Sequence, residues 1–298
     1  MGDPEIIAVG TQKLKVSFGT MPAGFKGDVR TRLPLALKGA QLRMTAALER
    51  TCHEATKPVE RISRPIRQAL HLYFGMPLHP SAVEASLYKN GLMEIIGRLG
   101  RTSLQLNQPT IAIADISDMP LAMCALVSVT NAFNKILGRG ELDFHGYVFA
   151  EASELLKRKL GSIPSDPVIT TALQGEIHLR LEDFRAATLM RMQMLTLIHE
   201  ATHKFAGTVD HQYFPDESIF QEFQRKVLKY SAASQTSQPL APGDVSIESR
   251  ARTSLEKNRE TKEALATVER CQPGEMRKNA DSFAHYVMDV SEYLQGAA

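Results

Sequence analysis

Apolar residues recur along most of this chain at three- and four-residue steps, the period of helices that bury one face. The spacing predicts helices over 40–57, 62–73, 80–98, 120–137, 151–160, 217–230, 247–270 and 275–294. In the last of these, Met276, Ala280, Phe283, Ala284, Val287, Val290 and Leu294 form the apolar stripe. The clearest run extends from Phe184 to Phe205, with Ala187, Leu189, Met190, Met194, Leu197, Ile198 and Ala201 at helical steps. Asp183 stands where a cap would, and Gly207 ends the run.

Strand patterns are fewer. Lys13–Phe18, Pro109–Asp115 and Gly146–Phe149 are short and β-like, and Gly175–Leu181 alternates polar with apolar, as a half-buried edge strand would. Residues 1–35 are punctuated by Gly and Pro and read as an extension or pairing arm, while 231–243 is a Ser/Gln/Pro-rich loop. No internal repeat is visible. The expected fold is α+β and predominantly helical, with a small sheet beside the 184–205 helix. The expected organisation is an N-terminal extension and first helix over 1–60, followed by the main domain over 61–298.

Composition narrows the function classes. With 298 residues and 43% apolar content, the chain can bury a sizeable core. A net charge of +2, with no Lys/Arg clusters interleaved with aromatics, argues against a nucleic-acid partner. No apolar run approaches membrane-spanning length, and Met1–Glu5 lacks the basic-then-apolar pattern of a secretory signal. Ile6 stands where N-myristoylation wants Ser or Thr. The expectation is a cytoplasmic protein, or one exported without a cleavable signal. Cys52, Cys124 and Cys271 are odd in number, widely spaced and without a C-x-x-C pair. They read as buried thiols rather than a disulfide framework or metal ligands.

The candidate chemistry lies at the end of the 184–205 pattern, where His199-Glu200-Ala201-Thr202-His203 is an H-E-x-x-H motif. Four residues apart on a helix, His199 and His203 stack on one face and can grip one ion. Glu200 then projects beside the ion, where it can take a proton from a zinc-bound water, the metalloprotease reading of the motif. The strand before it could pair with an extended peptide substrate. A catalytic zinc site needs a third protein ligand and an open position. Asp210, seven residues past His203, ranks first, Glu222 second and His211 third, with Glu217 also in reach of a thermolysin-like arrangement. Val209 occupies the place of the third His of metzincins and excludes that class.

The segment Gly207-Thr208-Val209-Asp210-His211-Gln212-Tyr213 resembles the G-T-x-D-x-x-Y stretch that follows H-E-x-x-H in the aspzincins: the deuterolysins, the peptidyl-Lys metalloendopeptidases and their bacterial relatives. Asn279–Tyr286 is similar to the N-A-D-S-Y-A-x-F segment of that family, and Leu72-Tyr73-Phe74-Gly75 to its aromatic F-G signature. The likeness spans roughly residues 65 to 295. It implies a zincin-like fold, zinc held by His199, His203 and Asp210, Glu200 as general base and Tyr213 as hydrogen-bond donor to the oxyanion. Phe214 stands where the family usually has Gly, and Phe283 and His285 where it tends to have Tyr or Phe. The secreted fungal members depend on disulfides; this chain does not share that feature, which suggests folding in a reducing cytosol.

The expected function is a zinc-dependent endopeptidase acting on a protein or peptide substrate, with a bacterial secreted toxin or effector as its setting. A second resemblance, to effector proteases that cleave host transcription factors through H-E-x-x-H-x-x-x-G-x-x-D, fits Gly207 and Asp210 but not Tyr213. The alternatives from other classes are a catalytically inactive zincin-like binding module and a helical scaffold with an accidental motif. Among the remaining residues, His178 reads as an exposed strand position or a substrate contact. Asn279 and Asp281 read as carboxamide and carboxylate partners of the ligand imidazoles, or as a helix cap. His53, His71, His79 and His145 read as structural, and Asp216, Asp244 and Glu248 as a possible acidic pocket for a Lys side chain.

Overall fold

Helix α1 spans Ala23–Ala55 and crosses Pro34, a residue that removes one backbone hydrogen bond from a helix interior. Val29, Leu33, Ala36, Leu37, Ala40 and Met44, at three- and four-residue steps, are nevertheless all fully buried. Burial of that stripe outweighs the local break, and the helix begins well before the expected Ala40. The segment up to residue 35 is therefore only in part an extended arm. The computed structural model describes residues 4–115, 177–208, 212–235, 245–271 and 274–295. The expected helices over 120–137 and 151–160 and the strand over 146–149 lie outside these residues.

Among the described residues the protein is mostly helical, with one four-stranded sheet. The chain divides into two compact units, one of Met1–Thr45 with Gly97–Asp210, the other of Ala46–Ile96 with His211–Ala298.

The first unit holds the sheet, in the order β1 (Glu5–Val9), β2 (Gln12–Ser17), β3 (Thr110–Asp115) and β4 (Ile177–Leu179). β1 and β2 form an antiparallel hairpin in which Val9 pairs with Gln12, and Gly10 supplies the positive φ of 62° that its two-residue turn needs. β2, β3 and β4 run parallel, with Val16 opposite Ile113 and Ile113 opposite Ile177. All three residues of β4 are buried, so over Ile177–Leu179 the expected half-buried alternation does not hold. Both faces of this strand are covered, as is usual for parallel sheet. His178, read as exposed, is 8% exposed.

Helix α3 (Ala85–Leu106) runs beyond the expected Arg98, because Leu99, Thr102 and Leu106 continue the buried face of Leu92 and Ile95. After β4 a short 3-10 turn, Leu181–Phe184, leads to helix α4 (Met190–Ala206), which packs against β4. Gly39 of α1 faces Met194 of α4 so closely that a Cβ there would overlap the methionine sulfur.

The second unit is helical. α2 (Arg64–Phe74) is packed by α5 (Ile219–Gln235), α7 (Arg259–Arg270) and α8 (Ala280–Gln295), while α6 (Val245–Leu255) packs on α5. The single helix expected over 247–270 is two, because the Asn258 side chain accepts the N–H of Thr261 at 3.1 Å and starts α7 afresh. The helix expected from Glu275 begins at Ala280, after a 3-10 turn over Met276–Lys278. The aromatic signature and the C-terminal segment, far apart in sequence, meet here. Phe74 packs edge-to-face on Phe283 and Tyr286, at 5.0 and 5.3 Å between ring centres, and the Tyr73 hydroxyl donates to Asp289. Cys52 is exposed rather than buried, Cys271 is partly exposed, and neither forms a disulfide. No described helix is long and apolar enough to cross a membrane.

Candidate metal centre

α4 is buried on almost every side from Gln193 to His203: Met194, Leu195, Leu197, Ile198 and Ala201 are buried, and so are Gln193, His199, Glu200, Thr202 and His203. Polar groups in such a place need partners. Asp183 is not the cap of this helix, which begins at Met190 after Leu189. Instead the Gln193 side-chain amide donates to the carbonyl oxygens of Asp183 (3.1 Å) and Arg185 (2.9 Å), tying the preceding turn to the first turn of the helix.

His199 and His203 face each other one turn apart. Their Nε2 atoms are 3.0 Å apart and the rings lie edge-to-face with centres separated by 4.7 Å. Glu200 places Oε1 3.7 Å from His199 Nε2, and one ligand atom from each of the three residues lies within 4.8 Å of the others. All three are at least nine-tenths buried. Two imidazole nitrogens bound to one tetrahedral ion at ordinary bond lengths stand about 3.3 Å apart. The donor pair is thus already close to the spacing an ion would impose, and this buried group could hold a metal ion.

The far side of His203 is anchored by the end of its own helix. Gly207 takes a left-handed conformation (φ 63°) and donates its N–H to the His203 carbonyl at 3.2 Å. The turn brings the Thr208 carbonyl oxygen to 2.8 Å from His203 Nδ1, and Thr208 Oγ1 to 3.4 Å from the same atom. Thr208 Oγ1 donates to Thr202 Oγ1 (3.0 Å), which donates to the His199 carbonyl (2.8 Å). Thr202 and Thr208 are fully buried. With a carbonyl as its neighbour, Nδ1 of His203 is the donor of that bond, and Nε2 is the atom that faces His199.

The same motif closes α2. Gly75 (φ 64°) donates to the His71 carbonyl, and His71 Nδ1 lies 2.9 Å from the Met76 carbonyl oxygen. There the other nitrogen, Nε2, meets Arg252 Nη1 at 2.9 Å. Arg can only donate, so His71 is neutral with its proton on Nδ1. Burial, and after it the charge of Arg252, hold His71 below the ordinary imidazole range despite the Met76 carbonyl. In both places the carbonyl after the left-handed glycine takes the Nδ1 side of the ring and leaves Nε2 to another partner.

Asp210 and His211, the first and third choices for the remaining ligand, lie outside the described residues. Glu222, the second choice, is engaged on its own helix by Arg225 (2.6 Å) and Lys226 (3.2 Å), which outweigh its burial and lower its pKa. Glu217 is exposed. Tyr213 is 54% exposed.

The segment around Tyr213 is held from α8. Asn279, fully buried, accepts the Gln212 N–H (3.1 Å) and donates to the Gln212 carbonyl (2.9 Å) and to Ser282 Oγ (3.0 Å). Asp281 accepts the Phe214 N–H at 2.5 Å. These two side chains thus hold backbone at residues 212 and 214, and Asp281 also lies 3.7 Å from His285 Nε2. Phe214, the departure from the family pattern, is a packing residue: its ring lies edge-to-face on Tyr73 at 5.1 Å and against His285 at 5.7 Å. Glu248 does not line a pocket for lysine. It is 3% exposed and accepts from Arg64 (2.8 Å), Gln68 (2.5 Å) and His79 (3.0 Å).

Thr202, Thr208 and Gln193 were invisible as site residues in the apolar pattern. The available signal was the His-x-x-x-Gly spacing at the helix end, which occurs at both His71 and His203. Comparison of the chain with protein-family models, curated proteins and solved structures gives no match.

Proposed function

We propose that this protein is a zinc-dependent endopeptidase of the aspzincin kind, with a zincin-like arrangement of helix and sheet. The observation that carries the reading is the buried pair of Nε2 atoms 3.0 Å apart on one helix, with the Glu200 carboxylate beside it. A purely structural pair would not need a carboxylate at that point of a buried helix, whereas hydrolysis needs a metal-binding pair and an adjacent base.

In this reading His199, His203 and Asp210 hold the ion. Zinc, when bound, supplies a Lewis acid that polarises the scissile carbonyl and acidifies a water toward neutral pH. Glu200 follows the first ligand directly and so stands beside the donors, where its carboxylate accepts the proton of the attacking water and hands it to the leaving amine. The low exposure of Glu200 keeps bulk water from competing for that proton. Tyr213 donates its hydroxyl to the developing oxyanion, a charge absent from the ground state. β4, against which α4 packs and which is the last strand of the sheet among the described residues, would offer backbone groups to an extended peptide. A secreted toxin or effector setting agrees with a chain lacking a disulfide framework.

The test is metal analysis of the purified protein together with a proteome-derived peptide cleavage profile, for wild type and Glu200→Gln. Zinc in both and cleavage only in wild type is the expected result. Zinc without cleavage in either would make the protein a non-catalytic binding module, and absence of zinc would make the motif accidental.

A further inference from the structure

We infer that Thr208 is a positioning residue that presets His203 as a metal ligand, through its carbonyl and hydroxyl together. The inference rests on the metal-binding part of the functional reading. Its ground is the directed chain of bonds from Thr208 Oγ1 to Thr202 Oγ1 to the His199 carbonyl, with the Thr208 carbonyl on His203 Nδ1. Each hydroxyl has one proton. Thr202 gives its proton to the His199 carbonyl, so the bond between the threonines must use the proton of Thr208. The lone pairs of Thr208 Oγ1 are then left facing His203 Nδ1 at 3.4 Å, alongside the carbonyl at 2.8 Å.

Both oxygens of Thr208 that stand near Nδ1 thus favour a proton on Nδ1. The same chain reaches back to the first ligand, since the His199 carbonyl lies at its far end. Thr208 therefore ties the backbone of one ligand to the ring of the other, across one turn of helix. Comparison with His71 separates the two parts of the device. The left-handed glycine and the following carbonyl recur there, and Met76 stands in place of Thr208, so the hydroxyl belongs to the site alone. At His71 the Nε2 acceptor is used by a single Arg donor, which tolerates some rotation of the ring. An ion held by two imidazoles fixes both rings at once, and a ligand that rotates loses the shared position.

The experiment measures zinc affinity by chelator competition and ring tautomers by long-range proton–nitrogen NMR, in full-length protein. Thr208→Val, which keeps the shape and removes the hydroxyl, should weaken zinc binding by about tenfold to a hundredfold, the scale of lost outer-shell support. Thr208→Ser should restore affinity to within about threefold, and Thr202→Val should weaken it in the same direction as Thr208→Val. Wild type should show the proton of His203 on Nδ1, beside the Thr208 carbonyl. Zinc affinity unchanged in a folded Thr208→Val protein, or a His203 proton on Nε2 in place of Nδ1 in wild type, overturns the inference. Should Thr208→Val fail to fold, the wild-type tautomer and the Thr208→Ser affinity decide. Wild-type protein that takes up no zinc removes the functional reading and the role of Thr208 with it, whereas tight zinc without peptidase activity removes the functional reading alone.

Discussion

The carbonyl oxygen of Thr208 lies 2.8 Å from Nδ1 of His203, so the residue just past the helix decides which nitrogen of the histidine is available on the other side of the ring. Gly207 makes this possible, because a left-handed residue at that point turns the chain back over the last helical turn.

Zinc uptake should follow the donor set. Wild type should bind about one ion per chain, and His199→Ala or His203→Ala should abolish binding, as removal of one of three ligands does. Asp210→Ala should also lose the ion and Glu222→Ala should keep it, measured by metal analysis after dialysis. The reverse pattern for the two acids would replace the aspzincin ligand set with a thermolysin-like one. Removal of zinc by a chelator should lower the melting temperature, since an ion bound only by the folded state stabilises it.

Glu200 is expected to act on protons and not on metal affinity. Glu200→Gln should retain zinc and fold while turnover falls by roughly a hundredfold or more. Steady-state assays on a cleavable peptide check this, and full activity in the variant would sink the proposed mechanism.

For Tyr213 the rate and the affinity should separate. Tyr213→Phe should lower kcat by about tenfold to a thousandfold, with KM and zinc content little changed, because the hydroxyl meets charge that exists only after attack. Loss of zinc in the variant would make Tyr213 a structural partner instead.

The fully buried Asn279 side chain bonds both the N–H and the carbonyl of Gln212 and the hydroxyl of Ser282. Asn279→Ala should cost about 1–3 kcal/mol, the scale for leaving buried partners unmet. Amide exchange at Gln212 should quicken, and exchange at Phe214 should quicken in Asp281→Ala. Unchanged protection at both amides would mean that the segment is held by something else.

Glu248 ties stability to pH. Burial raises its pKa, but hydrogen bonds from Arg64, His79 and Gln68 outweigh this and hold it below its ordinary value of 4.5. A carboxylate lowered by folding contributes stability that is fully present above its unfolded pKa and is lost as pH falls through the folded one. Denaturation between pH 7 and 3 should therefore show stability declining below about 4.5, and Glu248→Gln should flatten that part of the curve. At neutral pH the same variant should be less stable by about 1–3 kcal/mol.

The sequence by itself determined the elements that local pattern and covalent spacing control. The pair His199 and His203 at four residues, Gly207 as the helix stop, strands β2 and β3, and a helix-dominated chain were all legible, since period and glycine conformation are local properties. Tertiary structure decided what depends on burial from outside the segment. It carried α1 through Pro34, where Val29, Leu33 and Leu37 are fully buried. It buried His178, which local alternation had placed at the surface, and gave Glu248, read as part of a pocket for lysine, to Arg64, Gln68 and His79. It also gave Asn279 and Asp281 to the backbone of residues 212 and 214, a pairing across more than sixty positions that no periodicity encodes. Thr208 stands between the two cases. Its place after Gly207 is written in the sequence, but its bond to His203 exists only once the left-handed turn has folded the chain back on the helix.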